Sequence, residues 1–154
     1  MDDEKKRPSG RVTITNLSQG SNTPEAMVEN AIAAMKESGS DEETLLKTRK
    51  LLEARFGIGS WQDVIVFHEG ILQKQEAANE IDGQLTTLIQ LTEYAINAGD
   101  KEKARQFVLK AEALLERVTA VDIEASFPQP VNISGETILQ LRRAEIQRLH
   151  NWVF

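Results

Sequence analysis

Apolar side chains recur along this chain at the three-and-four spacing of an α-helix. The cleanest run is Ala104, Phe107, Val108, Ala111, Leu114, Leu115 and Val118. Just before it, Ala98-Gly99-Asp100 reads as a tight turn, with Gly99 as a left-handed C-cap and Asp100 as the N-cap of the next helix. Upstream, Trp61, Val64, Ile65, His68, Ile71, Leu72, Ala78, Ile81, Leu85, Leu88, Ile89, Thr92, Ala95 and Ile96 keep a period close to 3.5 residues. That pattern predicts a helical arm running to about residue 98, folded back antiparallel onto the second arm. Gly70 and Gly83 fall inside the first arm, and each costs about 1 kcal/mol relative to Ala. Asp82-Gly83 is the expected place for a break or bend. One continuous helix and two shorter ones both fit.

Shorter elements flank the hairpin. Thr23-Pro24 predicts a helix start, and Met27, Val28, Ala31, Ile32 and Met35 form its apolar face up to Gly39. Ser40-Asp41-Glu42-Glu43 fits a capping box with Ser40 as the cap. The second helix carries Leu45, Leu52 and Phe56 on one side, Leu46 and Leu51 beside them, and stops at Gly57 and Gly59. Ser60 caps the next. Residues 119–133 read as a long loop, with Pro128 and Pro130 barring a helix there. Ser134 caps a last helix, 135–153, with Ile138, Leu141, Ile146, Leu149 and Trp152 expected inward.

Residues 1–22 carry no helical pattern and read as a flexible arm, disordered or β-capable. Val12, Thr13, Ile14 and Thr15 are all β-branched and alternate, which suits a strand that pairs with Val131-Asn132-Ile133 or adds to a partner's sheet. A loop with apolar anchors fits equally. The expected architecture is therefore all-α: a bundle of about five helices built on a long antiparallel helical hairpin (61–118), in a helical domain 23–154 with an N-terminal arm.

Composition narrows the chemistry. Of 154 residues 40% are hydrophobic but only 5% aromatic, so the core must be aliphatic. There is no cysteine, which excludes disulfides, thiolate catalysis and Cys-ligated metals. No run is apolar and long enough to span a bilayer, and MDDEKKRPSG does not resemble a secretory signal. A cytoplasmic protein, or a component of an intracellularly assembled particle, is expected, with no membrane partner. The net charge of -6 resides entirely in residues 61–100, where Asp63, Glu69, Glu76, Glu80, Asp82, Glu93 and Asp100 face only Lys74. That segment is a solvated acidic face, or a docking surface for a basic partner.

Catalytic signals are absent. His68 falls on the apolar stripe and reads as a core residue, and His150 sits near a helix C-terminus, where the dipole favours its charged form. No metal-ligand spacing occurs, and Gly57-Ile58-Gly59-Ser60 lacks the Lys and the strand of a phosphate loop. No enzyme activity, cofactor or metal is expected. Lys47, Arg49, Lys50 and Arg55, and separately Arg142, Arg143 and Arg148, form cationic clusters, but Glu42, Glu43 and Glu53 beside the first would repel phosphates. Glu93-Tyr94-Ala95 through Ala98-Gly99-Asp100, with Ala104 and Ala111, resembles the helix-turn-helix of tetratricopeptide-type and microtubule-interacting-and-trafficking-type hairpins. The resemblance covers one hairpin, whereas repeat folds need several; it implies close helix packing.

These features lead to an expected non-enzymatic protein–protein interaction module, an adaptor or small subunit. Its partner-binding residues would be Val12, Ile14 and Leu17 in the arm and Trp152 and Phe154 at the C-terminus. Homo-oligomerisation through the long helices is open to it, since one hairpin buries a single seam. The alternative is a nucleic-acid packaging or regulatory protein of viral type, with Lys47, Arg49, Lys50 and Arg55 on a helix-turn-helix-like pair and the hairpin oligomerising.

Overall fold

The computed structural model describes residues 23–125 and 133–154. The arm with Val12, Ile14 and Leu17 lies outside the described residues, as does most of its suggested pairing segment, Val131-Asn132. The fold is all-α, with seven helices and no strand among the described residues. The chain divides into two compact units, one through Ser60 and the other Trp61–Phe154.

The first unit pairs α1 (Pro24–Glu37) with α2 (Glu42–Arg55). Thr23 caps α1, its Oγ1 accepting from the Ala26 N–H at 3.1 Å, with Pro24 in the first turn where its missing donor is harmless. Asp41, not Ser40, caps α2: its Oδ1 accepts from the Thr44 N–H at 2.8 Å. A carboxylate there is favoured over a hydroxyl by the helix dipole, and this bond holds the Asp41 carboxyl below its usual range. Val28, Ile32 and Ala54 are buried, while Leu45 and Leu52 are only half-buried and Phe56 is exposed beyond the last turn.

In the second unit, the expected long arm is two helices, α3 (Trp61–Ala77) and α4 (Ile81–Asn97). The break falls at Ala78-Asn79-Glu80, upstream of Asp82-Gly83. Asn79 takes the left-handed conformation (φ 57°), and the Glu80 N–H donates back to the Gln75 carbonyl at 2.9 Å, closing α3 as a glycine would. Gly83 serves packing instead: a Cβ on it would lie 2.9 Å from Gln75 Nε2. The Gln75 side chain crosses this gap so that its Oε1 accepts from the Thr87 hydroxyl at 2.7 Å. α3 therefore runs antiparallel to α4, with Trp61 stacked on Tyr94 at the far end (5.9 Å between centroids).

The turn at Ala98-Gly99-Asp100 is as the sequence predicts. Gly99 is left-handed (φ 76°), Asp100 N–H donates to the Ala95 carbonyl at 2.9 Å, and Asp100 Oδ1 caps α5 (Lys101–Leu115) through the Lys103 N–H at 3.0 Å. Ala104, Phe107, Val108, Ala111 and Leu114 are buried against α4, which also packs on α3, α6 and α7 and forms the centre of the unit. Fully burying each such Leu, Ile or Phe is worth roughly 1.5–3 kcal/mol. His68 belongs to this core. Its Nδ1 lies 2.9 Å from the Val64 carbonyl, to which it must donate, and Tyr94 meets its ring edge-on at 4.8 Å.

The stretch 119–133 is not all loop. Thr119 and Asp122 cap each other reciprocally (Thr119 N–H to Asp122 Oδ2, 2.9 Å; Asp122 N–H to Thr119 Oγ1, 3.2 Å) and start a short α6 (Ala120–Ala125). Ile123 on α6 is fully buried. Pro128 and Pro130 follow α6 in the chain and lie outside the described residues. Ser134 then caps α7 (Gly135–Val153), where a Gly135 Cβ would lie only 2.2 Å from the Ala120 carbonyl oxygen, so glycine is what lets α7 start against α6.

Candidate functional site at the end of the last helix

α7 lies between α4 and α5. It runs parallel to α4, since Arg142 meets Asp82 and Arg148 meets Glu93, and antiparallel to α5, since Arg105 meets Val153 and Glu112 meets His150. Its inward face is Ile138, Leu139, Ile146, Leu149 and Val153. The position in the middle of that face belongs to Arg142. Its Nε donates to Asp82 Oδ1 at 2.8 Å and its Nη2 to Asp82 Oδ2 at 3.0 Å, a bidentate pair at the start of α4. Asp82 is only 7% exposed, and its hydrogen bonds raise the Arg142 pKa above even the usual guanidinium value.

With Arg142 on the inward side, α7 is rolled from the orientation expected. Leu141 and Trp152, predicted inward, are instead 52% and 59% exposed. They lie on one stripe with Glu145 and Arg148, at spacings of four, three and four residues, along the flank of α7 beside α4. Arg148 Nη2 reaches Glu93 Oε2 at 3.5 Å on that flank.

The opposite flank faces α5 and fixes the chain end. Arg105 Nε donates to the Val153 carbonyl at 2.8 Å, covering a helix-end acceptor. The same guanidinium lies over the Phe154 ring (5.6 Å), which stacks on His150 (4.5 Å). His150 Nδ1 in turn lies 2.8 Å from Glu112 Oε2. Next to this cluster an open groove of about 530 Å³ runs between α5 and α7, lined by Glu112, Leu115, Glu116, Arg143, Ile146 and Gln147. The sequence reading missed this groove. Its signal was the polar row Arg105 and Glu112 on α5 with Glu116 just after it, at spacings of seven and four residues.

The terminal Trp152-Val153-Phe154 therefore divides three ways. Val153 is core, Phe154 belongs to the α5 flank, and Trp152 belongs to the α4 flank. Both aromatics are 59% exposed, on a backbone held by Arg105.

Of the residues named for nucleic acid, Arg49 makes a bidentate pair with Glu29 of α1, and this bond lowers the Glu29 pKa. Lys47 and Lys50 are half-buried on the same helix, and Arg55 occupies its last turn, where a cation complements the dipole. Among the described residues no group of His, Asp or Glu could hold a metal ion, and no helix is long and apolar enough to cross a membrane. No family model, no curated protein and no solved structure matches the chain. Fold and site define the class as an all-α helical-bundle protein with an exposed aromatic helix end.

Proposed function

We propose that the chain is a non-enzymatic protein–protein interaction module, an adaptor or small subunit of a larger assembly, which binds its partner through the α4 flank of α7. The observation that carries this is the exposure of Trp152 on a helix end whose backbone is already fixed by Arg105. Tryptophan is enriched among residues that dominate binding energy, and a pre-ordered anchor loses little entropy on docking. Leu141 extends the apolar stripe, while Glu145 and Arg148 supply a charged rim of both signs. The partner would present an apolar pocket for one ring, ringed by polar groups. Its setting would be the cytoplasm or an intracellularly assembled particle, which the cysteine-free composition accommodates.

Photo-crosslinking from position 148, on the same flank, in the native host, followed by affinity purification of the Trp152→Ser and Leu141→Ser variants, tests this. A single partner should crosslink and be lost from both variants while their helical content is unchanged. Retention of that partner by Trp152→Ser would refute the proposed surface.

A further inference from the structure

We infer that the partner on the α7 flank is a second copy of this chain, laid antiparallel across the first, an assignment that rests on that flank being the binding surface.

The stripe Leu141, Glu145, Arg148 and Trp152 maps onto itself. Rotated about a two-fold axis between Ile146 and Gln147, Leu141 of one copy meets Trp152 of the other, and Glu145 meets Arg148. Every position is then matched, apolar with apolar and acid with base, as an isologous interface requires. Neither a parallel pairing nor a slipped one does this. A parallel pairing sets each residue against its own copy, Glu145 on Glu145 and Arg148 on Arg148. Sliding the antiparallel pair by three residues in either direction also sets Glu145 or Arg148 against itself. Facing like charges are strongly disfavoured across an interface, so the stripe specifies orientation and register as well as contact.

Side-chain geometry supports the same register. Thr137 and Ala144, both exposed, lie one turn before and after Leu141. Their small side chains leave a recess beside it for the Trp152 ring of the other copy, as a knob enters a hole. Glu145 and Arg148 make only long contacts in their own chain, 3.4 Å to Arg142 and 3.5 Å to Glu93, and are 43% and 54% exposed. Glu145 of one copy therefore reaches Arg148 of the other without giving up a strong bond. The contact joins Asp82, Arg142 and Glu145 of one copy to Arg148 and Glu93 of the other in a line of alternating charge.

The experiment is light-scattering mass measurement of the full chain across a concentration series, with helical content checked for each variant. The wild type should reach twice the 17.2 kDa chain mass. Trp152→Ser should weaken the dimer by about a hundredfold, as loss of an aromatic anchor does. Glu145→Arg leaves two cations on the stripe and Arg148→Glu two anions, so each alone should weaken self-pairing by at least about tenfold. Mixed in equal amounts, these two variants should restore the dimer mass as a heterodimer. A structural role for either residue, or a partner of another kind, does not produce that restoration. A wild type that stays at 17.2 kDa overturns the inference, and capture of a different protein from position 148 would then leave the binding surface standing without it. A dimer that survives Trp152→Ser, or single charge variants that dimerise like the wild type or fail to pair on mixing, overturns it as well.

Discussion

Replacing Arg142 by methionine keeps most of the aliphatic stem and removes the guanidinium that grips Asp82 at 2.8 and 3.0 Å. The carboxylate stays at a site 7% exposed, without its bidentate partner. Removing one member of a buried ion pair costs roughly 3–5 kcal/mol. The Arg142 side chain is 23% exposed, however, so water already reaches the pair and a discounted loss of about 2–3 kcal/mol is expected. For a chain of this size that lowers the melting temperature by roughly 5–10 °C. Asp82→Asn should cost less, about 1 kcal/mol, because Arg142 can swing into water whereas Asp82 cannot. The double variant should be more stable than Arg142→Met alone, giving a coupling of about 1.5 kcal/mol. Both tryptophans, Trp61 and Trp152, lie in the unit Trp61–Phe154, so urea unfolding followed by tryptophan fluorescence reports on that unit alone. A loss below about 0.5 kcal/mol in Arg142→Met, or additive single variants, would refute a structural role for the pair.

Gly135→Ala should dislodge α6. The added Cβ would meet the Ala120 carbonyl oxygen at 2.2 Å and Glu124 Cγ at 2.6 Å, and overpacking of this kind costs about 1–3 kcal/mol. Amide exchange should quicken around Ile123 and stay slow in α4 and α5; unchanged exchange in α6 would count against the contact. Acid should loosen the α1–α2 hairpin. Asp41 is held below the usual carboxylate range by the Thr44 backbone N–H, and Glu29 by its hydrogen bond to Arg49. Both groups therefore favour the folded hairpin above their unfolded values, about 4, and that contribution is lost as pH falls through the lowered folded values. Helicity of α1–α2, read by residue-resolved NMR, should decline over that range, and Asp41→Ala with Glu29→Gln should flatten the dependence.

The parts of the fold written in local sequence were legible. Thr23, Asp100 and Ser134 were readable as caps because a cap acts within three residues of itself. The turn at Gly99 was readable because glycine is the usual left-handed residue. The break at Asn79 was not, since asparagine takes that conformation less conspicuously and Gly83, four residues on, looked the better breaker. The apolar period also runs across the break, because α3 and α4 bury opposing faces and their stripes happen to stay in phase. Thr119-Ala120-Val121-Asp122 did carry a capping signal for α6, which the two prolines downstream overshadowed. Gly83 looked like an interruption and Gly135 only like a helix start, whereas each makes room for a neighbour, Gln75 and α6 respectively, that local sequence does not name.

The candidate site was half legible for a related reason. Its residues were visible as an apolar chain end, but their directions depend on the roll of α7. Hydrophobic burial alone decides that roll poorly. The expected orientation would bury Leu141 and Trp152, and the observed one buries Leu139 and Val153. Each such side chain is worth roughly 1.5–3 kcal/mol when fully buried, so hydrophobic burial alone gives the observed roll no advantage. The remaining difference is Arg142. In the observed roll it meets Asp82, 60 residues upstream; in the other it would turn away and leave that carboxylate without the guanidinium, at a cost of about 2–3 kcal/mol. The pair is therefore large enough to set the orientation against competing apolar stripes. Hydrophobic periodicity counts an arginine as surface and so shifts the assigned face of α7 toward Leu141 and Trp152, although Ile138, Ile146 and Leu149 are buried as expected. The exposed Trp152 is thus a consequence of a partly buried charge pair two turns and more away, in the middle of the same helix.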